Sequence, residues 1–382
     1  LLRSAAIYGA NAAGKSNVIK ALAVMQKIVT GSSSKGQVDE DLPLVPFLLD
    51  ETSSKAPSEF EIEFVSEGVR YQYGFSTTKK RILEEWFIAY PRGVAQRWID
   101  RTYDEEQQKY HWGGMSKLAG RKQVWRDATR PNALFFSTAV QLNSEQLLPA
   151  HRWFHNVLRV AGFGGWSKKF TIRQCKEDSK KDEILDLLKT ADVGIDNLKF
   201  EEEKFSLDSL PKKMPDELKE ELSSKLEGET LIEVKTVHQN NHGKNVIFEM
   251  DDESDGTQKV FALAGPWLAT LEKGYVLVMD ELHDNLHPHI VKYLVNLFHS
   301  AETNPKNAQL LFTTHDTSIL DQEVLRRDQI WFCQKNKKNS TELYPLTDFS
   351  PRKGVENLEK GYLSGRYGAL PYIRKRKVEA AC

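Results

Sequence analysis

A stretch near the start of the chain, Ala6–Ser16, reads A-I-Y-G-A-N-A-A-G-K-S. Within it, Gly9–Ser16 matches the pattern G-x-x-x-x-G-K-S. The apolar residues before Gly9 favour a buried strand and Asn17–Lys27 favours a helix, which are the two neighbours that give this pattern meaning. Glycines let the backbone turn closely around an anion, and the N-terminus of the following helix adds a positive partial charge. The stretch predicts a phosphate-binding loop, although a chance glycine-rich turn could carry the same letters.

Two side chains of the loop have separate expected roles in such a site. Lys15 is expected to reach the β- and γ-phosphates of a nucleotide, and the Ser16 hydroxyl is expected to bind Mg²⁺. The residues predicted to contact the nucleotide in this loop are Gly9, Asn11, Gly14, Lys15, Ser16 and Asn17.

The composition bounds the class of protein. The 382-residue chain has 53 Lys and Arg against 54 Asp and Glu, and its net charge of −1 gives no global field that would attract nucleic acid. No apolar run approaches the ~20 residues of a membrane span. Cys175, Cys333 and Cys382 have no paired or metal-binding spacing, which is typical of a protein in a reducing cytosol. Because the chain opens at Leu1, close to the loop, we expect an upstream segment to be missing, and the adenine contacts stay unassigned.

The pattern along the chain predicts an α/β protein in four parts. The parts are 1–140, with the loop and an antiparallel β layer; 141–230, a helical insertion; 231–340, where strands alternate with helices; and 341–382, an extension with a basic tail at Arg374–Lys377. No heptad repeat is sustained in the insertion, so we expect no long coiled coil.

The individual elements follow from hydrophobic periodicity. The predicted strands are Phe60–Phe64, Val69–Phe75, Ile82–Ile88, Gln96–Arg101, Leu231–Val237, Asn245–Met250, Tyr275–Met279, Gln309–Phe312 and Gln329–Phe332. The segments with helical spacing are Trp153–Val160, Asp182–Leu188, Pro215–Leu226, Gln258–Leu271, His289–Phe298 and Glu323–Arg326. An apolar strand is also expected before Gln141.

Tyr275–Met279 leads into two carboxylates, Asp280 and Glu281. In a phosphate-loop fold, Asp280 would hold Mg²⁺ at the carboxyl end of the strand, and Glu281 would act as general base on the attacking water. A strand that ends in an acidic turn is common, so the pair gains its meaning from the loop upstream.

Two further segments could contact phosphate. Ser254–Gln258 opens a helix, where Ser254 and Gly256 could present a hydroxyl and bare N–H groups to an anion, although an ordinary N-cap fits equally well. His315 follows an apolar strand and could sense a γ-phosphate, or could simply be satisfied at a strand end. The cluster of His283, His287 and His289 has no spacing that predicts a metal site.

The order of these motifs resembles an ABC-type ATPase head of the SMC/RecF/OLD kind. The resemblance implies a nucleotide site split between two copies of the chain, with ATP and Mg²⁺. It gives Gln141 the role of the Q-loop glutamine, a catalytic residue that binds the metal, and His315 that of the switch histidine. Ser254, Gly256 and Gln258 would contact the γ-phosphate of the opposite copy, although the segment reads S-D-G-T-Q rather than S-G-G-Q.

A closer resemblance covers nearly the whole chain. The motifs that carry it are Glu253–Gln258, Leu286–Pro288, Phe312–Asp316, Asp348–Lys353 and Tyr362–Pro371. They resemble the ATP-binding proteins of bacterial abortive-infection and anti-phage operons of the RloA/AbiL type. That family implies a bacterial cytoplasmic protein that controls a separate effector, often a Toprim-like nuclease. His283 departs from the family, where many relatives carry an acidic residue.

The sequence therefore predicts an ATPase that works at the interface of a homodimer or a higher oligomer and switches an effector protein. The first alternative is a RecF-like repair ATPase that binds DNA. A nuclease that gates its own cutting and a scaffold that binds ATP without turnover are the others, but no second carboxylate cluster supports the former and Glu281 argues against the latter.

Overall fold

The computed structural model of the chain describes residues 2–34, 36–161, 166–204 and 230–371. Its strands are β1 (Ser4–Tyr8), β2 (Ser58–Ser66), β3 (Val69–Thr77), β4 (Ile82–Tyr90), β5 (Gln96–Asp104), β6 (Lys109–Trp112), β7 (Leu158–Val160), β8 (Asn197–Lys204), β9 (Thr230–Gln239), β10 (Asn245–Glu249), β11 (Val276–Met279), β12 (Gln309–Thr313), β13 (Ile330–Lys335) and β14 (Thr341–Pro345). Its helices are α1 (Lys15–Gly31), α2 (Glu51–Lys55), α3 (Lys122–Ala128), α4 (Phe135–Gln141), α5 (Leu148–Arg152), α6 (Lys168–Gln174), α7 (Asp178–Thr190), α8 (Asp255–Lys273), α9 (Pro288–His299) and α10 (Leu358–Leu363).

A six-stranded sheet in the order β14-β13-β1-β12-β11-β7 forms the centre of the molecule. All neighbours are parallel except β13 and β14, which are antiparallel. Alternate residues of β11 face different cores, since Leu277 packs in one hydrophobic cluster and Val278 in the other. Burial on both faces explains why this strand is continuously apolar. The parallel strands end at one edge, which brings Gly9, Asp280 and Thr314 to the same side of the sheet.

A five-stranded antiparallel sheet, β2 to β6 in sequence order, packs with α1 and α4 around the second hydrophobic cluster. The predicted hairpin is confirmed, with Phe60 opposite Phe75 and a turn in which Gly68 has φ +77°. The strands predicted at Ile82–Ile88 and Gln96–Arg101 are confirmed as β4 and β5, while β6 was not predicted. The predicted α/β fold class, with a mixed core sheet and an antiparallel layer, is confirmed.

A buried ion pair joins this antiparallel sheet to α4. Glu85 of β4 accepts hydrogen bonds from the backbone N–H groups of Phe135 and Phe136 at 2.7 and 2.8 Å. Arg101 of β5 lies 3.4 Å from the same carboxylate, and both side chains are fully buried. The carboxylate therefore binds the free N–H groups at the start of α4 and balances a guanidinium that has no access to solvent.

Three predictions of local structure are wrong. The strand expected before Gln141 is helix α4, and Trp153–Val160 is a π-helical turn over Trp153–Val157 followed by strand β7. The helix expected at Glu323–Arg326 is a turn. The segment 141–230 thus contributes β7 to the core sheet and β8 to a second, three-stranded sheet with β9 and β10, besides α5 to α7.

The predicted hairpin before the Ser254 helix is confirmed as β9 and β10, and the elements around Asp280 are confirmed as α8, β11, α9, β12 and β13. The helix predicted at Pro215–Leu226 and the basic tail Arg374–Lys377 lie outside the described residues. None of the described helices is both long and apolar enough to cross a membrane.

The C-terminal extension packs on the strand that leads into the loop. Tyr362 of α10 lies edge-on to Tyr8 of β1, with ring centroids 6.1 Å apart, and stacks on Phe332 of β13 at 5.4 Å. Thr317 donates a hydrogen bond of 2.6 Å to Glu359, which joins α10 to the segment after β12. The motif Tyr362–Pro371 therefore has a packing role beside the predicted site.

Candidate nucleotide site

The loop between β1 and α1 is shaped by its two glycines. A Cβ on Gly9 would lie 2.3 Å from the carbonyl oxygen of Cys333, and a Cβ on Gly14 would lie 2.0 Å from the Thr341 hydroxyl. Gly14 also has φ +104°, a conformation that side chains rarely allow. The loop lies directly against β13 and β14, so a side chain at either glycine would collide with these strands.

Lys15 lies inside the loop at the first residue of α1. The residue is 6% exposed, and its Nζ donates to the carbonyl oxygens of Gly9 and Ala10 at 2.7 and 3.1 Å. Burial lowers the pKa of Lys15, while the charges of Glu281 and Asp280 act in the opposite direction. A buried ammonium at the N-terminus of a helix is suited to bind an anion.

The strands behind the loop hold its backbone in place. The Thr341 hydroxyl and the Cys333 thiol both donate to the carbonyl oxygen of Ala13, at 2.9 and 3.4 Å. Neither residue was among the predicted site residues. They are more than 300 positions away in sequence, and only the pairing of β1 with β13 brings them to the loop.

The carboxylates after β11 are fixed by a threonine of the next strand. The Thr313 hydroxyl donates to Asp280 at 2.5 Å and accepts the N–H of Glu281 at 2.9 Å. Glu281 has φ +48°, an uncommon conformation for a side chain of this size. Such outliers persist where surrounding contacts determine them, and they occur frequently at functional sites.

The loop and Glu281 line a common cleft of about 300 Å³. Its walls are Ala10, Asn11, Ala12, Ala13, Gly14, Lys15, Ser16, Asn17 and Glu281. The structure thus brings together the predicted loop residues and the predicted general base. The donor set fits Mg²⁺ and a phosphate chain, because Ser16 and Asp280 offer hard oxygen ligands while Lys15 and the loop amides offer positive charge.

The Ser254 helix, α8, lies beside the segment that follows Glu281. Ser254 caps the helix by accepting the N–H of Thr257 at 3.1 Å, so the ordinary N-cap is present. A Cβ on Gly256 would lie 2.9 Å from the carbonyl oxygen of Asn285, which explains the glycine at this contact. Lys259 donates to the carbonyl oxygen of Asp284 at 2.5 Å and further fixes the helix to this segment.

The side chain of Gln258 is hydrogen-bonded to residues of its own chain. Its amide donates to the carbonyl oxygen of Glu253 at 2.8 Å and accepts from Lys168 at 2.8 Å. Gln258, Lys168, Asp280 and Glu281 line a second cleft of about 530 Å³. Ser254 and Gly256 line neither cleft, and Ser254 is exposed. Ser254 is therefore open to the outside of the molecule, whereas Gln258 faces the second cleft of its own chain.

His315 lies in the loop after β12 and lines neither cleft, and its Nε2 is 3.1 Å from Nε2 of His283. His283 also contacts the Thr314 hydroxyl through Nδ1 at 3.0 Å. In the described part of the chain, no group of three or more His, Cys, Asp or Glu residues could hold a metal ion.

The structure does not bring Gln141 to the loop. Gln141 is exposed at the end of α4, whose Ser137 donates to the carbonyl oxygen of Val29, about 21 Å along α1 from Lys15. The core sheet does have an edge strand in this part of the chain, but it is β7, which pairs with β11 and ends at Val160, after Gln141 in sequence. The assignment of Gln141 depended on a preceding strand that does not exist.

The fold and the site define a P-loop ATPase domain. The family model described as "AAA domain, putative AbiEii toxin, Type IV TA system" matches residues 4–321, and the chain belongs to this family. A search of the curated proteins gave no significant match.

Solved structures with a related outline include two SMC heads and a RecF. The SMC head domain from Thermotoga maritima covers 90% of each chain at 13% identity and a TM-score of 0.39. An SMC head bound to the C-winged helix domain of ScpA covers 91% of each at 13% identity and a TM-score of 0.38. The recombination mediator RecF with ATP covers 89% of this chain and 93% of its own at 13% identity and a TM-score of 0.29.

Proposed function

We propose that the chain hydrolyses ATP with Mg²⁺ at the interface between two copies of itself. The observation that carries the proposal is the position of Glu281, which lines the cleft of the phosphate loop while Thr313 fixes Asp280 beside it. Lys15 and the loop amides would bind the phosphates, and Ser16 and Asp280 would hold the metal. Glu281 would accept a proton from the attacking water, and His315 would contact the terminal phosphate.

The exposed start of α8 supports the split site. Ser254 caps the helix, is exposed and lines neither cleft of its own chain, and a helix N-terminus favours an anion. A second copy that docks on this surface would add Ser254 and Gly256 to the site.

Replacement of Glu281 by Gln tests the proposed reaction. The amide cannot accept the proton, so we expect turnover to fall by about 100-fold or more while ATP binding and ATP-dependent association persist. Phosphate release and size-exclusion mass measurements check both parts. Glu302→Gln, a change of the same charge on an exposed residue, is the control. Unchanged turnover in Glu281→Gln would remove Glu281 as the base.

The biological role that we propose is the regulation of a separate effector in the cytoplasm of a bacterium under phage attack, through a switch that depends on ATP. The family to which the chain belongs supports it, since its description names a putative AbiEii toxin and a toxin–antitoxin system. The RloA/AbiL resemblance of Tyr362–Pro371 and of the Ser254 segment points to a Toprim-like nuclease as effector. Co-purification of the chain with the product of the neighbouring gene, with and without ATP, tests this role.

A nucleic-acid partner is a second candidate, and a basic groove beside β6 favours it. The groove has a volume of about 730 Å³ and is lined by Arg121, Lys122 and Arg126, with exposed Lys117 in the same loop. Among the described residues, none of the three lining cations pairs with a carboxylate. Lys122 donates to the carbonyl oxygen of Met115 and Arg126 lies over the ring of Trp112, so both retain their full charge beside the groove. An open groove with cations that no carboxylate neutralises suits a phosphodiester backbone.

Charge reversal tests the groove with a matched control. Lys117→Glu with Arg121→Glu should weaken binding to a 30-base-pair duplex. The dependence of log K on log salt should become shallower by about two units of slope, because two phosphate contacts are lost. Lys55→Glu with Arg92→Glu changes the net charge equally at exposed positions outside the groove. Equal losses in both double variants would argue against a specific groove.

A further inference from the structure

Two histidines face each other on neighbouring loops, one of which carries Glu281. His283 follows β11 and His315 follows β12, and their Nε2 atoms are 3.1 Å apart with ring centroids at 3.9 Å. At this distance one proton must lie between the two nitrogens, since two N–H groups would repel each other and two lone pairs would not attract. One of the two Nε2 atoms therefore carries hydrogen and donates it, and the other accepts.

The hydroxyl of Thr314 decides which ring donates. Thr314 is fully buried, and its Oγ1 accepts the N–H of Asp316 at 3.0 Å and contacts Nδ1 of His283 at 3.0 Å. Within the described residues, no other partner exists for this hydroxyl. A buried O–H that donates to nothing is costly, so its hydrogen points to Nδ1 of His283, which must be an acceptor.

The order of donors then follows along the chain of contacts. A neutral His283 that accepts at Nδ1 carries its hydrogen on Nε2 and donates it to Nε2 of His315. Neutral His315 must carry its own hydrogen on Nδ1. Its side chain is exposed, and among the described residues Nδ1 has no partner. Burial, followed by the charge of His315, lowers the pKa of His283 to about 4, which agrees with a neutral donor.

We propose that His283 is a positioning residue that fixes the ring orientation and tautomer of His315, so that His315 presents its Nδ1–H to the terminal phosphate of ATP. The phosphate as acceptor rests on the proposed function, whereas the tautomer does not. The charged groups that face His283 are Asp316 and Asp284, which favour its protonation, and Lys259, which opposes it. Among the described residues, none of these three groups makes a hydrogen bond to His283.

Two variants of similar shape separate positioning from simple packing. His283→Gln places an amide that can donate to Nε2 of His315, whereas His283→Glu places a carboxylate that only accepts. We expect His315 to keep hydrogen on Nδ1 in His283→Gln and to move it to Nε2, with a raised pKa, in His283→Glu. Long-range ¹H–¹⁵N spectra of the histidine rings, recorded on the full chain without nucleotide, measure the tautomer directly.

Turnover is the second measurement. The kcat of His283→Gln should stay within about twofold of the wild-type value. His283→Glu should lose about tenfold in kcat with little change in KM, because it alters the partner of His315 and leaves the phosphate loop unchanged. His315 with hydrogen on Nε2 in the wild type, or the same tautomer in all three proteins, would overturn the proposal. Correct tautomers without any ATPase activity in the wild type would instead contradict the proposed function and leave the pairing intact.

Discussion

Lys15 combines a functional position with a cost to stability. Its ammonium is buried, and burial lowers its pKa, which means that the folded chain holds this charge less readily than water does. We expect Lys15→Met to abolish ATP binding and to raise the free energy of unfolding by about 1 kcal/mol, because an apolar chain replaces the buried charge. Calorimetry with ATP and urea unfolding measure the two effects. Lys27→Met, on an exposed turn of α1, should change neither.

His283 predicts a pH dependence of stability. Its pKa in the folded chain is about 4, below the ordinary 6.5. As pH falls from 6.5 to 4, only the unfolded chain gains the proton, so the free energy of unfolding decreases, by at most about 1.4 kcal/mol per pH unit and by less where solvent screens the charge. His283→Gln should flatten this decrease. Urea unfolding at several pH values tests it, with exposed His155→Gln as the control. A slope equal to that of the wild type would contradict the assignment.

At the scale of elements, the hairpin of β13 and β14 supports the phosphate loop from behind. The Thr341 hydroxyl donates to Ala13 at 2.9 Å without lining the cleft. Thr341→Val removes this hydrogen bond, so we expect ATP affinity to fall by about three- to tenfold, the equivalent of roughly 1 kcal/mol. Thr341→Ser keeps the hydroxyl and should bind as the wild type does. Equal affinities for the Val and Ser variants would show that the hairpin does not order the loop.

One buried carboxylate adds a polar contact between the antiparallel sheet and the start of α4. Glu85 balances Arg101 and binds the first N–H groups of α4. We expect Glu85→Gln to lower the free energy of unfolding by about 3 kcal/mol, because it leaves a buried guanidinium without an anion. Glu84→Gln, on the exposed face of the same strand, should have little effect. Chemical unfolding of both variants decides whether this pair joins the two elements.

At the scale of the whole molecule, the sequence predicts motifs that are contiguous along the chain. It does not predict contacts between residues that only strand pairing brings together. The loop, the Asp280–Glu281 pair and the hairpins are contiguous patterns, and each was found at its place. Thr313 and Thr341 act through strand pairing, which leaves no pattern in their own neighbourhood. Gln141 was misplaced because apolar residues around Phe136 fit a strand as well as a short buried helix, and periodicity cannot separate the two.

The split site predicts that two inactive variants restore activity when mixed. Lys15→Ala disables a loop, and Ser254→Arg should disable only the helix start that serves the other copy. A mixed dimer then has one site with both defects and one site with neither.

With random exchange of subunits at equal amounts, half of the dimers are mixed and each has one intact site, so about a quarter of wild-type turnover should return. Lys15→Ala mixed with Glu281→Gln is the decisive control. Lys15 and Glu281 line the same cleft of one chain, and every site in that mixture keeps one defect. Recovery in the first mixture alone requires that Ser254 acts on the partner's nucleotide. The absence of recovery in both mixtures, with each variant folded, would mean that each chain completes its own site.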